Sequence, residues 1–460
     1  MKSLLYLAIA SLVAGSSFVV AAPASPNKPN IVYFLIDDMG YVDTGFNGCK
    51  DIKTPNLDRF AKQGAVLDCL YGQPVCSPTR ACLMTGRYPV RTGVYNTVQY
   101  RQPKPWSLPL AERTLAQTLR EAGYTTAMIG KWHLGDDSPD YLPTRRGFDH
   151  QYGFMAGSIN SFVGGTVGRK KQADDWYRDD IQSPEKGFSV HLLAKEACRL
   201  IREQPTGKPL FLYFAPHEVH TPWLSPEEYQ KPYEHLSKRR KDLAAATAAA
   251  DEAFGQIMAE LEEKGMAANT LVIFSSDNGG TSWDKVSDNG PLRGGKSDIY
   301  EGGFRLGAFA CWPGIIPAGI HIAEPLHVVD WYPTLAKLAG ATSEQKLPLD
   351  GRDILPVLTQ GAKTTHKEIL LVGSRPGQQA IRVGDWKLLI NPAEFRSRGK
   401  SEPIELYNVV EDISEKHNLA AAHPERVKAM RARLQTYVEK SANGEFHRMK
   451  EDPNAKGEDK

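Results

Sequence analysis

Two stretches of the chain are apolar almost without a break, and both stop at acids. Residues 30–36 read Asn-Ile-Val-Tyr-Phe-Leu-Ile and run into Asp37 and Asp38. Residues 271–276 read Leu-Val-Ile-Phe-Ser-Ser and run into Asp277 and Asn278. A continuous apolar run of this length predicts a strand buried on both faces, as in a parallel sheet. Shorter runs at 126–129 and 210–214 have the same texture. Helical patterns fall between them, at 115–122, 192–202 and 244–264; the last carries an alanine-rich stretch and ends before Gly265. Strands alternating with helices imply βαβ units and a sheet covered on both faces. Past Arg352 the texture changes. Residues 380–383 and 386–390 are short strand patterns joined by Gly384-Asp385, a hairpin signal, and a helix is expected over 424–440. The expected fold is α/β: a large mixed, mainly parallel β-sheet sandwiched by helices, over 25–355, then a small C-terminal subdomain with a short antiparallel sheet, over 356–442. Residues 443–460 are charged and poor in apolar side chains, which predicts disorder.

The N-terminus follows a different grammar. Lys2 precedes a short apolar stretch at 4–20, and Ala22-Pro23-Ala24 offers a small-x-small cleavage site. Residues 1–24 are expected to be a signal peptide, so the mature protein would be periplasmic or secreted with no stable membrane insertion. Cleavage after Ala21 or Ala22 is the alternative. At 460 residues the chain suits one large domain and a smaller one. Its hydrophobic content of 41% and charged content of 24% are those of a globular protein. A net charge of +2 gives no strongly basic face, so no nucleic-acid partner is expected. The six cysteines, Cys49, Cys69, Cys76, Cys82, Cys198 and Cys311, show no Cys-x-x-Cys pair, and no bridge is assigned.

Chemistry concentrates at the ends of the apolar runs, where ligands bind in open parallel sheets. Asp37, Asp38, Asp277 and Asn278 offer hard oxygen donors, which favour calcium or magnesium over zinc. Lys131 and His133 follow the run at 126–129, and His217 and His220 follow the run at 210–214. Lys296 stands in Gly294-Gly295-Lys296. The segment 76–87, Cys-Ser-Pro-Thr-Arg-Ala-Cys-Leu-Met-Thr-Gly-Arg, is the most specific. Pro78 suits a first helical turn, so a helix is expected from about Thr79, with Cys76 just ahead of its N-terminus and Arg80 one turn on. Backbone amides and the helix dipole favour an anion there.

That segment resembles the signature of the type I sulfatases, members of the alkaline phosphatase superfamily, and the resemblance runs through nearly the whole mature chain. It implies that a maturation enzyme converts Cys76 to formylglycine, whose aldehyde hydrates to a geminal diol. Five cysteines would then remain, at least one of them unpaired within the chain. It implies one calcium ion held by Asp37, Asp38, Asp277, Asn278 and the group at Cys76. Arg80 would stabilise the hydrate, Lys131, His220 and Lys296 would contact sulfate, and His133 would partner the formylglycine. The implied reaction has two steps: the diol attacks sulfur, with Asp277 as base and His220 protonating the leaving alcohol, and His133 then helps expel sulfate. His217 competes for the acid role. The implied activity is that of an exported sulfatase (a sulfuric ester hydrolase) acting on sulfated carbohydrate, such as glycosaminoglycan or algal polysaccharide fragments. Candidate sugar contacts are the loop-like, polar and aromatic stretches 158–171 and 177–186, with Arg101, Trp106 and Arg169. Two alternatives stay open: a phosphodiesterase or phosphonate hydrolase of the same superfamily, and a non-catalytic sulfated-glycan binder should Cys76 stay unconverted.

Overall fold

Strand β1 (Asn30–Ile36) is buried along its whole length because it is the middle of a sheet covered on both sides. The computed structural model describes residues 28–99, 107–164, 175–282, 286–341, 347–375, 377–392 and 403–439. The expected signal peptide, the charged tail at 443–460, and Arg101, Trp106 and Arg169 lie outside the described residues. The other strands of the main sheet are β2 (Ala65–Leu67), β3 (Thr125–Lys131), β4 (His150–Phe154), β5 (Tyr177–Arg178), β6 (Ile181–Gln182), β7 (Leu210–Ala215), β8 (Thr270–Ser276), β9 (Ala308–Cys311) and β10 (Ile320–Ile322). They form a ten-stranded sheet in the order β10-β2-β9-β8-β1-β7-β3-β4-β5-β6. The five central strands, β8 to β4, are mutually parallel, while β9 and β5 join them antiparallel. All five carboxyl ends therefore lie on one edge. Register fixes who meets whom there: Ile36 pairs with Ser276, and Ala215 with Gly130.

The period-two geometry of β1 divides its side chains between two cores. Ile31, Tyr33 and Leu35 join a cluster with helices α2 (Cys76–Thr85), α3 (Leu115–Glu121) and α6 (Trp331–Leu338), through Ala81, Leu83, Leu115, Leu119, Trp331 and Leu335. Val32, Phe34 and Ile36 join the other, with α1 (Pro55–Lys62), α4 (Ser189–Glu203) and α5 (Lys238–Glu263), through Leu57, Leu193, Ile201, Leu243, Phe254 and Ile257. Helix α5 begins six residues earlier than its alanine run suggests; five of the added residues are charged, with Lys238 and Arg239 exposed, and only Leu243 is apolar and buried, so they carry no hydrophobic period. Part of the stretch 177–186, expected to be loop, is instead the β5–β6 hairpin on the sheet's edge. Among the described residues no helix is long and apolar enough to cross a membrane.

The C-terminal region is the expected antiparallel meander: β11 (Ile369–Val372), β12 (Gln379–Val383), β13 (Trp386–Ile390) and β14 (Ile404–Asn408), in sequence order, with α7 (Pro424–Glu439) after it. Ile381, Leu388, Met430 and Leu434 are part of the same apolar cluster as α2 and α6. A buried triad adds a polar link: Lys387 Nζ on β13 lies 3.0 Å from both Glu301 Oε1 and Glu415 Oε1. Glu415 Oε2 also accepts the Glu301 backbone N–H at 2.6 Å. Lys387→Met leaves two buried carboxylates facing each other and should cost about 3–5 kcal/mol in denaturant unfolding. Burial, opposed by Lys387 and reinforced by Glu301, pushes the Glu415 carboxyl from its ordinary 4.5 up to about 7. An acid raised on folding contributes stability that is complete below its unfolded pKa and fades as pH rises through the folded one. Between about pH 4.5 and 7, wild type should therefore lose stability relative to Glu415→Gln; parallel stability curves for the two proteins across that window would refute this.

Candidate active site

The acids that close β1 and β8 arrive side by side because those strands pair in register to their last residues. Asp37, Asp38 and Asp277 are buried, and Asp38 adopts a left-handed φ of 61° that turns the chain sharply off the strand. One oxygen from each, with Cys76 Sγ, lies within a set of atoms no more than 4.8 Å apart. Asn278 donates from Nδ2 to Asp38 Oδ1 at 2.8 Å, while its Oδ1 is buried with no partner. A buried amide oxygen left unpaired among three carboxylates is a poor arrangement by itself. It is a fitting one for a hard divalent cation, which takes oxygen ligands of both kinds.

Cys76 opens α2 rather than preceding it, three residues before the expected start. Val75 is the extended residue ahead of the helix (φ −146°, ψ 164°), and Pro78 falls in the first turn, where a missing N–H costs nothing. The thiol is 1% exposed and lies 3.6 Å from Asp37 Oδ1. Burial pushes it up to about 12, against the pull of Lys131 and Lys296, so as a plain cysteine it is a poor nucleophile.

Three cations answer the carboxylates. Lys131, the last residue of β3, donates to Asp37 Oδ2 at 2.5 Å. Lys296 donates to Asp38 Oδ2 at 2.6 Å. Burial works to raise the Asp38 carboxyl, yet Lys296 and His220 hold it well below the usual range. Arg80, one turn along α2, donates to Asp277 Oδ2 from Nη2 at 2.8 Å and from Nε at 3.2 Å. Its Nη1 reaches the Lys131 carbonyl at 3.2 Å and the Tyr213 hydroxyl at 3.3 Å. Burial and the Asp37 charge push Asp277 up to about 6, against Arg80 and Lys131. Tyr213 did not stand out in the sequence, because it sits inside the apolar run of β7; only its tertiary partner gives it a site role.

The histidines differ. His220 Nδ1 lies 2.6 Å from the Thr221 carbonyl and so must donate to it, leaving Nε2 facing Asp38 Oδ2 at 3.5 Å. Burial and Lys296 bring it down to about 3, so the ring is neutral in the free protein. Its side chain keeps 17% exposure, which gives it access to a ligand. His217 is fully buried behind it, the rings 5.5 Å apart, and neither of its nitrogens has a partner. His133 sits beyond β3 with Nε2 3.0 Å from the Val98 carbonyl. Thus all ten residues expected at the site from sequence sit at the carboxyl edge of the sheet or the start of α2.

The chain's likeness to known proteins covers most of its length. Residues 29–341 match the Sulfatase family. Arylsulfatase J of Mus musculus is 32% identical over 91% of this chain and 77% of its own. A crystal structure of Ps i-CgsB in complex with k-i-k-neocarrahexaose superposes with a TM-score of 0.84, at 31% identity over 94% of this chain and 100% of that one. PsFucS1 sulfatase from Pseudoalteromonas sp. gives 0.77, at 28% identity over 91% of this chain and 92% of that one.

Proposed function

The chain belongs to the sulfatase family and is a sulfuric ester hydrolase, and on that premise we propose that it is an exported enzyme removing sulfate from carbohydrate. The observation that carries the chemistry is the buried set of Asp37, Asp38, Asp277 and Asn278 around Cys76, with an unpaired amide oxygen and three neighbouring cations. Carbohydrate as the substrate class rests on similarity to a sulfatase-fold protein solved with a k-i-k-neocarrahexaose. Glycosaminoglycan and algal polysaccharide fragments are the candidate substrates.

Asp37, Asp38, Asp277 and Asn278 would hold calcium, together with the group at position 76; the ion would supply Lewis-acid polarisation of a sulfate oxygen and acidify a bound hydroxyl. Conversion of Cys76 to formylglycine by a maturation enzyme would supply a hydrated aldehyde as nucleophile in place of an inert thiol. The remaining work falls to side chains. Lys131 and Lys296 neutralise the ester's sulfate; their pairs with Asp37 and Asp38, beside Cys76, support this reading. Arg80 anchors the charge balance at Asp277, which takes the nucleophile's proton. His220 protonates the departing alcohol from Nε2; its proton has to arrive with the anionic substrate, since burial and Lys296 keep the free ring neutral. His133 accepts a proton in the second step.

The decisive experiment uses protein from its native host. Mass spectrometry of the Cys76 peptide should show the aldehyde or its hydrate in place of the thiol. The same protein should release sulfate from at least one sulfated oligosaccharide at a rate at least about 100-fold above phosphate release from the matching phosphate ester. Fully converted protein that binds sulfated glycans without releasing sulfate would replace the enzyme reading with that of a binding protein.

A further inference from the structure

His133 is held on two sides, and one of them is a glycine. The residue has a left-handed φ of 57° at the turn that leaves β3, and its backbone N–H donates to the Met155 carbonyl at 3.1 Å. Nε2 lies 3.0 Å from the Val98 carbonyl oxygen. A carbonyl can only accept, so Nε2 carries the proton and Nδ1 is left as the acceptor. Nδ1 is buried and has no partner.

On the other side lies Gly157. A Cβ placed there would come within 2.6 Å of both Cε1 and Nε2 of His133, and the three atoms nearest to it all belong to that ring. Gly157 is not among the glycines with positive φ, so its backbone would accept an L-residue. The conflict is with the imidazole alone. Neither side can yield easily. The ring is 3% exposed, and the segment before Gly157 is pinned by Asp175, which accepts the Met155 N–H at 3.1 Å and the Ala156 N–H at 2.7 Å.

We infer that Gly157 is a positioning residue, one half of a clamp on His133: its missing side chain leaves the space that the imidazole occupies, and the Val98 carbonyl, accepting from Nε2–H, fixes the tautomer and keeps Nδ1 as the ring's free proton acceptor. The inference rests on the proposed reading of His133 as a proton acceptor, and its physical core can be tested apart from that reading. Ring-nitrogen NMR should show the Nε2–H tautomer for His133 in wild type, its signals identified by their loss in His133→Asn. Gly157→Ala should shift or broaden those signals and lower kcat/KM on a sulfate ester by about 100-fold, the scale of a small misplacement of a reacting group. In the His133→Asn background the same change should cost no more than about 2-fold further, because the two residues act as one. An Nδ1–H tautomer in wild type, or fully additive losses in the double variant, would overturn the clamp. Should Gly157→Ala fail to fold, the double variant with His133→Asn, which removes the ring that the new Cβ would strike, should fold; a double variant that also fails to fold would overturn the clamp. A wild type that hydrolyses no sulfate ester would count against the proposed function and leave the spectroscopic answer standing.

Discussion

Cys76→Ser should abolish steady-state sulfate release, by on the order of 10⁴-fold or more, the scale seen when a covalent nucleophile is removed. The substitution is nearly isosteric and fills the same buried space at the start of α2. Melting temperature and the pairs of Lys131, Lys296 and Arg80 with their carboxylates should therefore survive, which separates lost chemistry from lost structure. A serine hydroxyl could still attack sulfur once, but it has no second hydroxyl to drive sulfate off. The variant should therefore stall carrying one SO₃ group, visible as a mass increase on the peptide that contains position 76. Multiple turnovers at the wild-type rate would show that position 76 is not the nucleophile.

Removing calcium should be almost as damaging. A chelator should silence hydrolysis, and calcium should restore it where zinc does not, because the donors are oxygens. Stability should follow. A ligand present at about 1,000 times its Kd and bound only by the folded protein adds about 4 kcal/mol, so calcium should raise Tm by several degrees. Asp277→Asn should weaken that calcium-dependent rise. The comparison must be made with and without the ion for each protein, since the variant also strips Arg80 of its 2.8 Å partner. Metal-stripped wild type with unchanged rate and unchanged Tm would refute the assignment of Asp37, Asp38, Asp277 and Asn278 as a cation site.

Much of the site could be read from the chain because strand ends announce themselves. The apolar runs of β1, β3, β7 and β8 are each followed within three residues by an acid, a lysine or a histidine, and parallel strands put such ends on one edge. The helices could be located for the same reason, although their ends drifted. Helix α2 starts three residues before the expected Thr79, because an extended Val75 lets it open at Cys76 with Pro78 as its third residue rather than as the residue ahead of it. The first turn of α5 shows no hydrophobic signal because its residues, Lys238 to Lys241, are all charged; Arg240 is held instead by Asp43 and Asp51.

The sequence by itself determined the kind of chemistry: hard oxygen donors, candidate lysines and histidines, and a segment that resembles a formylglycine signature. It also determined the architecture, because two-face burial and βαβ alternation are written in local hydrophobic order. Only the tertiary structure decided who touches whom. Lys131 pairs with Asp37 and Lys296 with Asp38, across 94 and 258 residues of chain. Arg80 turns to Asp277 and Tyr213, His217 is shut behind His220, and Gly157 makes room for His133. Those pairings depend on the register and spacing of elements distant in the chain, and no local pattern of residues encodes them.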